Sequence, residues 1–190
     1  MKNEKLKKYI FKILGNFIEK FKEEFNEITI VIKPKNYLFC MKKIFNNKKT
    51  QFKKLIDICG VDYLTYKNKF KKNINRFAVI YHLLSIKYNW RLRIKVFIKN
   101  NNNPKLPSLT NIWKSANWYE REIYDLYGII FTNHKNLNRI LTDYNFIGHP
   151  LRKDFLVYGY TEIYYDNSKK NVNYKIIDIK KPFIPQRIIK

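Results

Sequence analysis

The chain has 190 residues, of which 45% are hydrophobic and 28% charged, a composition typical of a folded domain and not of a disordered chain. No apolar run reaches the roughly 18–20 residues of a membrane-spanning helix, and Cys40 and Cys59 are too few for a disulfide scaffold or a four-thiolate metal site. The net charge of +24 is compatible with nucleic acid, an anionic membrane or an acidic protein as partner.

The charge has a second explanation in the base composition of the gene. Lys, Asn, Ile, Phe and Tyr, whose codons begin with two A/T bases, make up 111 of the 190 residues. Drift in an A/T-rich genome would spread lysines over exposed positions, and no single element concentrates them into a basic stripe. The N-terminal segment contains four glutamates and no arginine, unlike an import presequence. Together these features predict a chain that is encoded in an organelle.

Hydrophobic periodicity predicts the elements of the first half of the chain. Apolar residues at three- and four-residue spacing predict one amphipathic helix over residues 2–26. The elements predicted after it are a strand over 28–32 that stops at Pro34, a helix over 37–45, a strand over 55–63 with a bulge at Gly60, and a basic connector over 67–75.

The middle of the chain is predicted to contain a β-hairpin followed by a loop. Apolar residues alternate over 77–83 and again over 92–98, and the polar stretch 87–89 between them predicts a hairpin turn. Residues 100–105 predict a loop, after which Ser108 is positioned to cap a helix.

A third helix is predicted from Asn117 to Tyr127. Asn117 and Glu120 have the spacing of a capping box, and Gly128 fits a left-handed helix stop. Arg121 precedes Asp125 by four residues, so the two are expected to pair on one face of the helix. For Glu120, Glu122 and Asp125, the acidic residues of this helix, a structural role is favoured over a role in acid–base catalysis.

No motif for a metal, a nucleotide or a nucleophile is found in the sequence. His82, His134 and His149 are far apart, and neither cysteine is close in sequence to a histidine. The chain has no GxGxxG, GxxxxGK or GxSxG motif. Lysines interleaved with aromatic residues could bind nucleic acid, but only without sequence specificity.

The C-terminal segment is rich in apolar residues that a short tail cannot bury by itself. Pro182 and Pro185 exclude a continuous helix through the end of the chain. We expect the tail over 166–190 to be mobile in the free protein and extended across neighbouring proteins in a complex. The alternative is a strand, starting near Val172, that folds back on the protein's own sheet.

Two long blocks resemble a known family. ANWYEREIYDLYGIIF (116–131) and LNRILTDYNFIGHPLRKDF (137–155) resemble the signature of the 30-kilodalton subunit of respiratory complex I. Shorter stretches follow in family order: VDY (61–63), RFAVIYHLLS (76–85), RLRIKVF (91–97), LPSLTNIW (106–113) and GYTEIYYD (159–166). Lys135 and Leu156 stand where the family usually has proline. The amino-acid sequence of the second block is similar to that of mitochondrial and proteobacterial members.

The resemblance implies an α+β fold, with a mixed β-sheet, helices on one face and an extended C-terminal arm. We divide the chain accordingly into a domain over 1–165 and a tail over 166–190. The implied role is a structural and assembly subunit of the matrix arm of NADH:ubiquinone oxidoreductase, packed against the 49-kilodalton subunit. The complex uses FMN and iron–sulfur clusters in other subunits, and this chain is expected to bind no cofactor and no metal and to have no catalytic residue.

The resemblance also implies a location on the matrix side of the mitochondrial inner membrane, with membrane association only through the complex. An organelle-encoded ribosomal or other RNA-binding protein is the main alternative, because it would share the basic composition. RNA binding, however, does not explain the acidic residues of the helix predicted over 117–127. A free-standing oxidoreductase is a further alternative, against which the missing cofactor motifs weigh.

The signature blocks supply the candidate interface residues. They are Glu120, Arg121, Glu122, Asp125, Arg139, Asp143, Gly148, His149, Pro150, Leu151, Arg152, Lys153, Asp154 and Phe155. Residues 148–155 are predicted to form a preorganised contact with the large partner, because Pro150 restricts the backbone. The alternative is that Arg152 pairs with Glu122 inside the subunit.

Overall fold

The computed structural model describes residues 2–66, 75–156 and 158–177, and its centre is a five-stranded mixed β-sheet. The strands are β1 (Ile18–Glu24), β2 (Glu27–Ile32), β3 (Lys54–Asp62), β4 (Phe77–Ser85) and β5 (Trp90–Phe97). Their spatial order is β1-β2-β5-β4-β3, in which β2 and β5 run parallel and every other pair is antiparallel.

Three helices pack on one face of this sheet: α1 (Lys2–Leu14), α2 (Tyr37–Asn46) and α3 (Ala116–Tyr127). The register aligns Ile30, Ile94 and Tyr81 across β2, β5 and β4, so that their side chains form the fully buried face. Tyr37 of α2 donates a hydrogen bond to the Tyr81 hydroxyl at 2.8 Å within this core. The predicted α+β class, with helices on one face of a mixed sheet, is confirmed.

The glycine in β3 allows α3 to approach the sheet closely. A Cβ atom at Gly60 would lie 2.6 Å from the ring of Tyr127, so only glycine leaves room for that ring. The predicted bulge at Gly60 is wrong, because Gly60 pairs regularly with Val79 and the irregularity lies between Leu55 and Asp57.

Two smaller sheets complete the described structure. β6 (Lys105–Pro107) and β7 (Ile130–Thr132) form a short parallel pair, and β8 (Thr161–Asp166) and β9 (Asn171–Ile176) form an antiparallel hairpin. The strand expected from Val172 therefore pairs with β8 and not with the main sheet. The predicted boundary between residues 165 and 166 falls within this hairpin, and the division into domain and tail stays a prediction.

The single helix predicted over residues 2–26 is wrong. The helix ends at Leu14, where Gly15 adopts a positive φ of 42°, and residues 18–24 form β1. Phe25 and Asn26 both have positive φ, 51° and 61°, which is the backbone of a two-residue hairpin turn between β1 and β2. Pairing of β1 with β2 along its length overrides the helical spacing of the apolar residues.

The other predicted elements of the first half are confirmed within one or two residues. These are β2, α2, β3 and the hairpin of β4 and β5, whose turn contains Asn89 at a φ of 48°. The basic connector predicted over 67–75 lies, except for Asn75, outside the described residues. Among the described helices, none is both long enough and apolar enough to cross a membrane.

Candidate functional site

The carboxylate of Asp125 organises the segment that follows α3. It is fully buried near the end of the helix and accepts hydrogen bonds from the backbone N–H groups of Ile140, Leu141 and Thr142 at 2.8–3.0 Å. The Thr142 hydroxyl and the Arg139 guanidinium also donate to it. Burial acts to raise the pKa of Asp125, but these hydrogen bonds outweigh it and hold the pKa well below its usual range.

Arg139 extends this arrangement along the loop. Its Nη1 donates to Asp125 at 2.7 Å, and its Nη2 donates to the carbonyl oxygens of Phe146 and Gly148, each at 2.9 Å. A planar guanidinium bonds in several directions at once, which a lysine cannot do. Arg139 therefore fixes the loop between residues 139 and 148 to the end of α3.

Arg152 and His149 close the C-terminus of the same helix. Arg152 Nε donates to the carbonyl of Tyr127 at 2.6 Å, and its guanidinium lies 5.2 Å from the ring of Phe77. His149 Nδ1 bonds the carbonyl of Asp125 at 2.8 Å. These contacts satisfy carbonyl groups that a helix end leaves without partners. Gly128 has the predicted left-handed conformation, with a φ of 70°.

Arg76 bonds two aspartates and thereby connects residues 148–155 to the main sheet. Arg76 donates to the buried carboxylate of Asp62 at 2.9–3.0 Å and to Asp154 at 2.6 Å. The backbone N–H of Lys153 donates to the same Asp62 at 3.0 Å. The ring of Phe155 stacks on Phe146 with 5.8 Å between centroids. Residues 148–155 are thus held rigidly against the domain.

Three predicted side-chain pairings are wrong. Asn117 and Glu120 do not form a capping box, because Glu120 is buried and accepts hydrogen bonds from Ser108 Oγ and the Leu109 N–H at 2.6 and 2.7 Å. Ser108 consequently holds Glu120 and caps no helix. Arg121 does not pair with Asp125, because Arg139 does.

Arg121 instead donates to the carbonyl of Asn138 and lies over the ring of Trp118. Arg152 bonds Tyr127 and not Glu122, so the predicted internal pair is also wrong, although Arg152 is held inside the subunit. For Glu120 and Asp125, non-local contacts replace the predicted local pairs.

Exposed apolar side chains surround this rigid frame. We define the α3–loop patch as Trp118, Leu141 and Tyr144, which are 61%, 64% and 82% exposed and line one groove of about 410 Å³. Ile147 and Leu151 follow in the same segment and are also exposed.

Of the candidate residues, Glu122, Asp143, Leu151, Lys153 and Asp154 are exposed, Glu120 and Asp125 are fully buried, and the others are partly buried. Sequence reasoning missed the patch, because scattered apolar residues in an irregular segment have no periodicity.

The described residues contain no group of three or more His, Cys, Asp or Glu side chains that could hold a metal ion. Burial raises the pKa of Cys40 to about 11 and, together with Asp57, that of Cys59 to about 12. Both thiols are therefore protonated near neutral pH, a state that neither attacks substrates nor binds metals well.

Burial of Glu120 makes the stability of the fold depend on pH. Burial raises its pKa to about 7, from an ordinary value of 4.5. The folded chain then retains a proton that the unfolded chain releases, so the contribution of Glu120 to stability is full below pH 4.5 and is lost as the pH rises through 7. Between these limits we expect wild type to lose about 3 kcal/mol of unfolding free energy relative to Glu120→Gln.

Urea denaturation at the two pH values measures this difference. The three histidines also have shifted pKa values, but their effect on stability is common to both proteins and cancels in the difference. The control is Glu122→Gln, an exposed acid on the same helix, which should keep the wild-type dependence on pH. Equal pH slopes for wild type and Glu120→Gln would contradict the assignment.

The contacts of Arg152 predict that it stabilises the isolated chain. In Arg152→Glu the hydrogen bond to Tyr127 is lost and a negative charge is placed at the helix C-terminus, which should cost roughly 3 kcal/mol. Lys153→Glu makes the same charge change at an exposed side chain and should cost about 0.5 kcal/mol or less. Thermal denaturation of the two variants separates these outcomes. A wild-type melting temperature for Arg152→Glu would instead indicate that Arg152 serves only in docking.

Comparison with known sequences gives the same family for a family model and for individual relatives. A sequence model described as "Respiratory-chain NADH dehydrogenase, 30 Kd subunit" matches residues 30–161. The C subunits of the NADH-quinone oxidoreductases of Burkholderia multivorans and Burkholderia pseudomallei are each 47% identical over 189 residues, covering 100% of this chain and 94% of theirs.

Solved structures agree in fold. A trypsin-resistant fragment of Nqo5 is 28% identical with a TM-score of 0.56, covering 72% of this chain and 100% of the fragment. A chain of the membrane-bound sulfane sulfur reductase, an archaeal respiratory membrane complex, has a TM-score of 0.68 at 20% identity, covering 83% of this chain and 89% of that one, and shows the fold alone. The family match over most of the domain and the identity over the whole chain establish that this protein belongs to the family of the 30-kilodalton subunit of respiratory-chain NADH dehydrogenase.

Proposed function

We propose that this chain is a structural subunit of the peripheral arm of complex I. In this role it holds cofactor-bearing neighbours at fixed positions for electron transfer from NADH to quinone, and it carries out no redox step itself. The observation that carries the proposal is the α3–loop patch, in which exposed apolar side chains stand on a backbone fixed by Asp125 and Arg139. Exposed apolar surface on a rigid support is typical of a protein interface.

The partner proposed for this surface is the 49-kilodalton subunit. A role without a cofactor is part of the proposal and stays a prediction. Ribosomal or other RNA-binding function receives no support from the comparisons. A mitochondrial location is proposed from the A/T-biased composition and the wording of the signature; the relatives compared above are bacterial, and the location stays a prediction.

A charge placed in the α3–loop patch should block assembly without unfolding the subunit. Leu141→Glu would bury a carboxylate against the partner, which costs several kcal/mol when no counter-charge is present. Ile86→Glu is the control, because Ile86 is similarly exposed but lies in the turn between β4 and β5.

Both variants can be expressed in a bacterial strain that lacks its own 30-kilodalton subunit. Native gels and NADH:quinone activity of the membranes measure incorporation, and the melting temperatures of the purified chains test folding. We expect Leu141→Glu alone to reduce incorporation at least about tenfold. Normal incorporation of a folded Leu141→Glu chain would remove the patch from the proposal.

The hairpin of β8 and β9 is proposed as a second contact with neighbouring subunits. Its register places Ile163 opposite Tyr174 and Tyr165 opposite Val172, so that these side chains share one face. They are 55–58% exposed, and Ile176 at the end of that face is 82% exposed. The opposite face carries Glu162, which pairs with Lys175 at 2.7 Å. An isolated two-stranded hairpin is marginally stable in water, so a partner that covers the apolar face would stabilise it.

Neighbouring tyrosines on opposite faces provide a matched test. Tyr165→Ser removes an aromatic ring from the apolar face, and Tyr164→Ser removes one from the polar face. We expect Tyr165→Ser to weaken incorporation into the complex by about tenfold and Tyr164→Ser to have little effect. Equal effects of the two substitutions would show that the apolar face makes no specific contact.

A further inference from the structure

A basic and aromatic groove crosses the face of the main sheet that the helices leave open. It has a volume of about 820 Å³ and spans β1, β2, β5 and the residues Tyr63 and Tyr66, which follow β3. Thr29, Val31, Lys95 and Phe97 line it, and these residues alternate with the buried residues of β2 and β5, so they point away from the helices. The groove is therefore separate from both surfaces proposed above.

The charges that line the groove are strongly unbalanced. Among the described residues that line it, the lysines are Lys20, Lys22, Lys33, Lys95 and Lys99, and the only acid is Glu19. Among the described residues, the ion pairs of these lysines are limited to Lys22, which bonds Glu24 at 2.6 Å. Four lysines thus face the groove without a carboxylate partner in the described chain.

The aromatic rings of the groove are already covered by cations or by each other. The Lys95 ammonium lies 4.9 Å from the ring centroid of Tyr63 and 5.3 Å from that of Phe97, and it also bonds the Tyr63 hydroxyl. Tyr63 in turn packs edge-on against Tyr66, with 5.5 Å between centroids.

Nucleobases stack on open ring faces. With Lys95 over two of the rings, the groove presents ammonium groups and not stacking platforms. Carboxylates fit this arrangement better than bases do, because an ammonium placed over a ring still has free N–H donors for an anion.

We infer that this groove binds an acidic segment of a partner polypeptide. The partner's carboxylates bond Lys20, Lys33 and Lys99, which form the exposed rim, and its apolar side chains contact Val31 and the exposed part of Tyr66. The groove crosses three adjacent strands, a width of about 10–15 Å, which accommodates about three or four residues of an extended chain. Binding weakens with salt, because the rim lysines are exposed to solvent.

The test uses the full chain and a fluorescent peptide of about ten residues with alternating Glu and Leu, which presents acids and apolar groups on opposite sides. The groove variant replaces Lys20, Lys33 and Lys99 with Gln. The control variant replaces Lys42, Lys114 and Lys135, three exposed lysines outside the groove, so that both variants have the same net charge. Fluorescence anisotropy at low salt measures affinity, and circular dichroism measures folding.

The groove variant should bind about tenfold more weakly than wild type, and the control variant within about twofold. A peptide with Gln in place of Glu should not bind. Equal weakening by both variants would overturn the inference, because it would show attraction to the overall charge. Absence of binding at low salt would overturn it too. Tighter binding of a single-stranded oligonucleotide, lost only in the groove variant, would replace the acidic segment with nucleic acid as the occupant.

Discussion

The buried carboxylate of Asp125 is the interaction on which the second half of the structure depends. A negative charge near the C-terminus of a helix is disfavoured by the helix dipole, and burial adds a desolvation cost. Three consecutive backbone N–H groups, a hydroxyl and a guanidinium offset that cost. Since residues 133–156 form neither helix nor strand, these bonds replace regular secondary structure in fixing their path. The loop that carries Leu141 and Tyr144 is positioned by this carboxylate.

The arginines of the signature segment act in the same way. Arg139, Arg152 and Arg76 bond carboxylates or carbonyl groups of their own chain. These arginines therefore stabilise the subunit's own fold, and much of the surface left for a partner is apolar. A fixed frame lowers the entropy that association must offset, so moderate apolar contacts can give stable docking.

The extent to which the fold follows from the sequence depends on how local each interaction is. The strands β2, β4 and β5 were predictable because alternation over one buried face is a local pattern. The first helix was overextended because Phe17, Phe21 and Phe25 have helical spacing, while the turn at Phe25 and Asn26 lacks the glycine that usually marks such a turn.

The site was less predictable than the fold, because its partners are distant in sequence. Asp125 has a suitable local partner in Arg121, yet it binds Arg139, which is 14 residues away. Glu120 fits a local cap, yet Ser108 and Leu109 bind it in the core. A single sequence reveals pairs three or four residues apart, but it does not show which of several equivalent partners the tertiary fold brings closer.

The excess of lysine affects whether the free chain associates with itself. The free chain presents the α3–loop patch and the apolar face of the β8–β9 hairpin to water, and both would favour self-association. A net charge of +24 opposes that association by mutual repulsion between chains. Whatever produced the lysines, their repulsion acts before assembly, when apolar surface is exposed, and it weakens once acidic surfaces of partners neutralise it. The groove on the open sheet face, where four lysines lack a carboxylate partner among the described residues, is one place where an acidic partner surface would neutralise this charge.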